Sequence, residues 1–411
     1  MRRLIKTKQK RRLTLGSILL VLFLCSLAFS PQLVQAVITV TATVTVSHYD
    51  FDLAVTPDGK YVYVPQLDNV AVVSTATNTV MTNIDLKGAY QVAVTPNGKY
   101  AYVTGSVTGS VFPHVTTYFV AVIDTASNKV TATINLEGAA TGIAITPDGE
   151  YVYVTESDII NNEGVGVVSV IRTANNTVAA RVIVGSSPEA VAITPNGEYA
   201  YVLSDGTVTS LGGTASNGTA SVINISNNTV MTVVIVEVGP QGVAITPNGE
   251  FAYVTNYGNN SVSVINTATN TVSKTITGLS YPYDVAISPN GEYALVTEQD
   301  FGNLTRFSVI NTLTNAVTAT VHLASIPYDL AITPNGAYAY IANGANSTFS
   351  VVSMGVDATP AASSPRATLE FSDESLIVIA FISITVVLAV IIIIKKNWKK
   401  INSTNKKIER S

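Results

Sequence analysis

Residues 241–256 read Gln241-Gly242-Val243-Ala244-Ile245-Thr246-Pro247-Asn248-Gly249-Glu250-Phe251-Ala252-Tyr253-Val254-Thr255-Asn256. Pro247 presets φ for the first central position of a type I turn, Asn248 suits the second, and Gly249 the position after it. The flanking residues alternate with period two and favour β-branched and aromatic types, the pattern of a strand rather than a helix. Two further runs follow, Ser261 to Ile265 and Thr271 to Ile276, separated by the polar turn Asn266-Thr267-Ala268-Thr269-Asn270. The stretch from Gln241 to Pro282 is one unit of four consecutive strands.

The unit recurs. Thr-Pro-Asp/Asn-Gly, or Ser-Pro-Asn-Gly, stands with its proline at 57, 96, 147, 195, 247, 289 and 334, at spacings of 39 to 52 residues. A period in that range belongs to solenoids and propellers, and four short strands per unit select the propeller. Each first strand holds an alanine at the same place (Ala54, Ala93, Ala144, Ala192, Ala244, Ala286, Ala331), as crowding near a ring axis requires. The two ends of the array are complementary. Val37 to Ser47 reads as a fourth strand without its first three, and the seventh unit stops after its third, Phe349 to Ser353. The expected fold is all-β: a seven-bladed β-propeller of four-stranded antiparallel blades. The N-terminal strand would complete the last blade, because an open ring leaves unpaired sheet edges.

Tyr253-Val254-Thr255-Asn256 carries a resemblance, with degenerate copies at Tyr153-Val154-Thr155-Glu156, Tyr102-Val103-Thr104-Gly105 and Tyr340-Ile341-Ala342-Asn343. From about Val37 to Met354 the chain resembles the YVTN-type β-propeller repeats of prokaryotic surface-layer and extracytoplasmic proteins. The resemblance implies the propeller strongly and an activity weakly, because this fold hosts many unrelated functions.

The flanks read as targeting and anchoring segments. Residues 1–36 combine seven basic residues, an apolar core and Val34-Gln35-Ala36, which is a secretory signal peptide; the one cysteine, Cys25, lies inside it. Residues 37–355 form the propeller and 356–374 a Pro/Ala/Ser-rich stalk. Residues 375–394 are a C-terminal transmembrane helix, since Leu376 to Ile394 would span about 28 Å. Lys395, Lys396, Lys399 and Lys400 then place residues 395–411 in the cytoplasm as a short tail. The expected location is the cell membrane, single-pass, with the propeller outside. The net charge of −4 hides an ectodomain near −17, because most Lys and Arg lie in the two flanks. Such a surface makes nucleic acid a poor partner. Seven sequons, at Asn175, Asn217, Asn224, Asn227, Asn259, Asn303 and Asn346, are candidate glycosylation sites.

Function is less legible. The turns between strands one and two and between three and four scarcely vary, and alternation puts both on one face. The opposite face carries the variable connections, including long insertions at Thr104 to Thr117, Glu156 to Gly166 and Leu203 to Thr219. Loops on a rigid scaffold are where binding usually resides, though exposed tips also tolerate idle insertions. Just before the recurrent alanine stand Phe51-Asp52, Tyr283-Asp284 and Tyr328-Asp329, in blades one, six and seven, which a closed ring makes neighbours. Aromatic faces beside carboxylates suit a sugar, a basic peptide or a hydrated cation, with Ca2+ as the candidate ion and no cofactor otherwise expected. Alternatively, each Asp accepts backbone hydrogen bonds where its own blade begins. The three histidines, His48, His114 and His322, form no recognisable ligand set, and no catalytic residue is assigned. The leading expectation is a membrane-anchored cell-surface propeller with a binding, adhesive or surface-layer role. Its partner would be a cell-surface protein or glycan, with self-association a further option. The alternative is an extracytoplasmic enzyme, lactonase-like or cofactor-dependent, acting at the channel mouth.

Overall fold

A computed structural model of the chain describes residues 38–47, 52–109, 115–160, 163–205, 217–300, 305–344 and 346–355. The chain divides into two units at Asp357, and every described residue belongs to the first. The signal peptide, stalk, membrane helix and tail expected from the sequence lie outside the described residues. Among those residues no helix is long and apolar enough to cross a membrane.

The described chain forms seven four-stranded antiparallel sheets. Blade one runs Ala54–Val55, Tyr61–Pro65, Asn69–Ser74 and Thr79–Asp85, and blades two to six repeat that order. Blade seven takes Pro327–Ile332, Tyr338–Asn343 and Thr348–Ser353 from the end of the array and Thr39–Thr45 from its beginning. The borrowed strand pairs antiparallel from Thr39↔Ser353 to Thr45↔Thr348, and Val46 N–H donates to the Ser347 carbonyl at 2.9 Å. The ring is therefore shut by backbone hydrogen bonds between the two ends of the folded portion, as the complementary deficits required.

The molecule has seven cores, one at each joint. Each second strand sends its central large residue, a tyrosine in all but blade six, to one neighbour and the flanking small residues to the other, the period-two geometry of a strand buried on both faces. In blade five, Tyr253 packs with Val285, Ala294 and Val296 of blade six, while Ala252 and Val254 pack with Tyr201, Leu203 and Val222 of blade four. The joint between blades seven and one is built the same way: Val44, Tyr340 and Phe349 meet Leu53, Val62 and Val73.

Polar bonds lock these joints. Six buried tyrosines donate their hydroxyls to an asparagine in the third-to-fourth turn of the next blade: Tyr63 to Asn128 (2.8 Å), Tyr102 to Asn176 (2.8 Å), Tyr153 to Asn228 (2.6 Å), Tyr201 to Asn270 (2.5 Å), Tyr253 to Asn315 (2.6 Å) and Tyr340 to Asn78 (3.3 Å). Each asparagine sits at φ between 51° and 54°, a left-handed conformation that Asn tolerates better than other side chains. Blade six has Leu295 in the tyrosine position. The blade it faces, blade seven, has no third-to-fourth turn, because its fourth strand comes from the other end of the chain. No asparagine is available there, and a buried hydroxyl would lack its partner.

The two conserved turns share one face, as alternation predicts. Thr75 Oγ1 donates to the Gly59 carbonyl at 2.7 Å and Thr125 Oγ1 to the Gly98 carbonyl at 2.6 Å, joining the two turns of one blade. On the opposite face, two insertions expected as loops are extended hairpins. In blade three, Tyr151–Ile160 pairs with Glu163–Arg172 out to Ile160↔Glu163, and in blade two Thr108 pairs with Thr116. Residues 110–114 and 206–216, the tips in blades two and four, lie outside the described residues.

Candidate functional site at the channel mouth

The innermost strands begin at the face that carries the variable connections. In blades two to seven this strand is interrupted there by a β-bulge: Pro282 opposes Glu298 and Val285 opposes Val296, so Tyr283 and Asp284 together oppose one residue, and Tyr328-Asp329 lies in the same way between Pro327 and Leu330. A bulge re-aims side chains and often borders a functional site. Across the blades the bulge positions hold Tyr90-Gln91, Thr141-Gly142, Glu189-Ala190, Gln241-Gly242, Tyr283-Asp284 and Tyr328-Asp329, with no basic residue among them.

The structure brings Asp52, Asp284 and Asp329 together. Asp329 hydrogen-bonds both of the others through its carboxyl group. The carboxylates also reach forward around the ring. Asp284 Oδ2 accepts the Leu330 N–H (3.2 Å), Asp329 Oδ2 the Leu53 N–H (2.8 Å), and Asp52 Oδ2 the Val92 N–H (2.6 Å). These bonds cross three consecutive joints, from blade six through seven and one to two. Asp52 Oδ1 takes the Leu53 N–H within its own blade at 2.7 Å. Phe51 lies outside the described residues.

All three aspartates are half-buried as residues, and protein packs closely around their carboxyl groups. That crowding disfavours the charged form. It pushes Asp52 up to about 6, raises Asp284, and drives Asp329 furthest, since Asp329 also faces the charges of the other two. The trio therefore retains protons that isolated aspartates would have lost.

Tyrosines stand around it. Tyr283 meets Tyr328 edge-on at 5.4 Å between ring centroids and Tyr257 edge-on at 6.3 Å; Tyr257 meets Tyr281 at 5.2 Å. The Tyr328 ring lies on Gly344, where a Cβ would come within 2.3 Å of Cε2. Gly242 makes room for Asp284 in the same way: a Cβ there would meet Asp284 Oδ1 at 2.6 Å. Opposite the trio, burial and the neighbouring Asp205 push Glu189 up to about 7. Tyr283 is within electrostatic reach of both sides, and burial followed by the charges of Glu189 and Asp284 holds its hydroxyl protonated well beyond the ordinary range.

Tyr283, Asp284, Tyr328, Asp329 and the Asp52 carboxyl, expected at the mouth from the sequence, thus converge, and Glu189, Asp205, Tyr257 and Tyr281 stand there without having been expected. Glu189 has a signal in hindsight: it follows Pro188 as Tyr283 follows Pro282. Tyr257 comes from a three-residue 3-10 turn, Tyr257–Asn259, found in blade five. Among the described residues no group of three His, Cys, Asp or Glu is arranged to hold a metal ion. Of the sequons, Asn175, Asn217, Asn227, Asn259 and Asn346 are exposed and Asn224 is half-buried. The Asn259 amide is committed to Glu237 at 2.6 Å, and Asn303 lies outside the described residues.

A family model described as "Lactonase, 7-bladed beta-propeller" matches residues 171–327. That segment contains Glu189, Asp205 and the Tyr257–Tyr283 wall, and stops before Tyr328 and Asp329. No curated protein matches the chain. Among solved structures the chain is similar to Kuenenia stuttgartiensis hydrazine synthase, at 20% identity and a TM-score of 0.62, over 75% of this chain and 97% of that one. At such identity the likeness concerns the fold alone.

Proposed function

We propose that this chain is a secreted, membrane-tethered propeller of the YVTN type that binds a polyhydroxylated glycan of a cell-surface partner at its channel mouth. The observation that carries the reading is the convergence of an edge-packed tyrosine wall with carboxyl groups from blades one, four, six and seven. Aromatic faces cover the apolar sides of sugar rings, and fixed carboxyls accept from their hydroxyls. Binding of the purified full chain to a glycan array, with and without Ca2+, tests it. Tyr283→Ala and Tyr257→Ala should each abolish the strongest signals while leaving the circular dichroism spectrum unchanged. Signals that survive both substitutions would remove the mouth as the site. The location has a separate test: protease added to intact cells should degrade the propeller and spare the C-terminal tail.

One observation favours a second reading, hydrolysis of a lactone. The matched segment includes Glu189, whose carboxyl titrates near neutrality, where a general base is most useful. Glu189 would take a proton from water as the water attacks the acyl carbon, and the ring oxygen would leave with a proton. A panel of lactones followed by pH-stat decides it. Turnover that Glu189→Gln reduces by about 100-fold or more supports hydrolysis; absence of turnover leaves the binding reading alone.

A further inference from the structure

Seven outer strands form the rim of the ring, each with one exposed face. In six of them that face is dominated by short polar or charged residues. It reads Thr271, Ser273, Thr275 and Thr277 in blade five, and Thr39, Thr41, Thr43 and Thr45 in the closing strand. Blade four differs. Its outer strand, Thr229–Ile235, exposes Met231, Val233 and Ile235 at 50%, 50% and 65%, and the outer strand of blade three adds Ile183 at 65%. Blade one exposes Met81 at 62%, the counterpart of Met231, but sets it beside Asn83 and Asp85; only in blade four do three large apolar side chains follow one another on the exposed face. The strand also lies at the edge of its sheet and contains no proline and no charge, the two usual defences against edge pairing.

We propose that this edge is a homodimer contact, in which the outer strand of blade four pairs antiparallel with its twin across a two-fold axis. The favoured register places Val233 opposite Val233 of the second copy and Met231 opposite Ile235. It puts all the exposed apolar side chains of the two strands on one face of an eight-stranded sheet. A second copy is the occupant because the arrangement is self-complementary, as an isologous contact must be. Charge points the same way. The ectodomain is strongly acidic, so copies repel one another over most of their surface, and this uncharged strand is a place where two can meet without opposing like charges. A seven-residue edge is smaller than a standard interface, so the dimer should form between about 1 and 100 µM.

The test uses the full chain in detergent, by light scattering coupled to gel filtration. The wild type should pass from monomer to dimer within that range. Val233→Lys should require at least about 30-fold higher concentration, because it sets two lysines face to face. Thr275→Lys, at the equivalent position in blade five, should behave as wild type. In a Cys25→Ser background, Val233→Cys should form a disulfide-linked dimer on mild oxidation and Thr275→Cys should not. A chain that stays monomeric throughout, a dimer that Val233→Lys leaves intact, or equal crosslinking at both positions would overturn the proposal. So would a heterologous protein copurifying on this strand in stoichiometric amount.

Discussion

The two faces of the ring obey different rules. On the turn face every blade solves the same problem with the same residues: a Thr or Ser side chain accepts a backbone N–H two residues beyond the turn glycine, as Phe251 donates to Thr246 Oγ1 at 3.0 Å. The turn glycine of each blade packs on the turn proline of the blade before it, including Gly59 on Pro334 across the point of closure. On the mouth face agreement is local: blades six and seven share Pro-Tyr-Asp and blade one adds Asp52, while blades two to five each carry a different pair. Aspartates lock three joints, and threonines act at others, as Thr255 Oγ1 donates to the Tyr283 carbonyl at 2.7 Å. Repetition therefore marks what the ring needs to exist, and departure from repetition marks either the closure or the site. Leu295 belongs to the first class; Glu189 and the three aspartates belong to the second.

The most severe break of this contrast is deletion of residues 37–47. It removes a complete strand, buried Val44 and Val46, and the cover over Tyr340 and Phe349. The loss should be at least about 5 kcal/mol, comparable with the whole stability of many domains. Thermal melting followed by circular dichroism should show no cooperative transition near that of the wild type. A transition that survives unchanged would mean the ring does not depend on the borrowed strand.

A smaller effect separates the odd tyrosine position from the regular ones. Tyr253→Phe deletes a buried hydroxyl and leaves the Asn315 side chain without it, at a cost of about 1–2 kcal/mol. Leu295→Tyr restores the repeat consensus yet should destabilise by about 1–3 kcal/mol, since the new hydroxyl has no asparagine to meet. Urea denaturation of both variants checks the pair. A stabilising Leu295→Tyr would refute the account of why that blade departs.

The gentlest probe is pH. Burial raises Asp52 to about 6 and raises Asp329 well above the ordinary aspartate value, so from about pH 4 upward, to about pH 6 for Asp52, the folded state holds more protons than the unfolded chain. Their contribution is complete below that window and is lost as pH rises through it. The difference in urea midpoint between Asp329→Asn and wild type should therefore shift in favour of the variant from pH 4 to pH 7, because the amide keeps hydrogen-bonding capacity and cannot ionise. A constant difference would show that the trio is not sharing protons.

Most of the architecture was legible because it is written seven times. The turn prolines gave the period, the alternating runs gave the strands, and the incomplete first and last units gave the closure. The clustering of Asp52, Asp284 and Asp329 followed from that closure alone. What escaped was singular. Tyr257 reaches the mouth from a 3-10 turn, and Tyr281 from a left-handed position before Pro282 whose counterparts, Ser187 at φ 48° before Pro188 and Gly239 at φ 66° before Pro240, carry no aromatic ring to draw attention to the place. The insertions in blades two and three contain enough alternation to pair as hairpins, but their length drew attention to variability rather than to strand period. Leu295 stood in view as an exception, yet its meaning depended on knowing which turn its neighbour lacked.

Thr39 and Ser353 stand opposite one another as Thr79 and Ser74 do in blade one, where a short turn connects them. A peptide such as Thr-Ala-Thr-Asn spliced between Ser353 and Thr39 would turn the blade-seven seam into a continuous hairpin, and new termini could be opened in another blade. In such a circular permutant the spliced asparagine would face residue 295, and tyrosine would become the better choice there. The preference at one buried position would thus report where in the circle the gene begins.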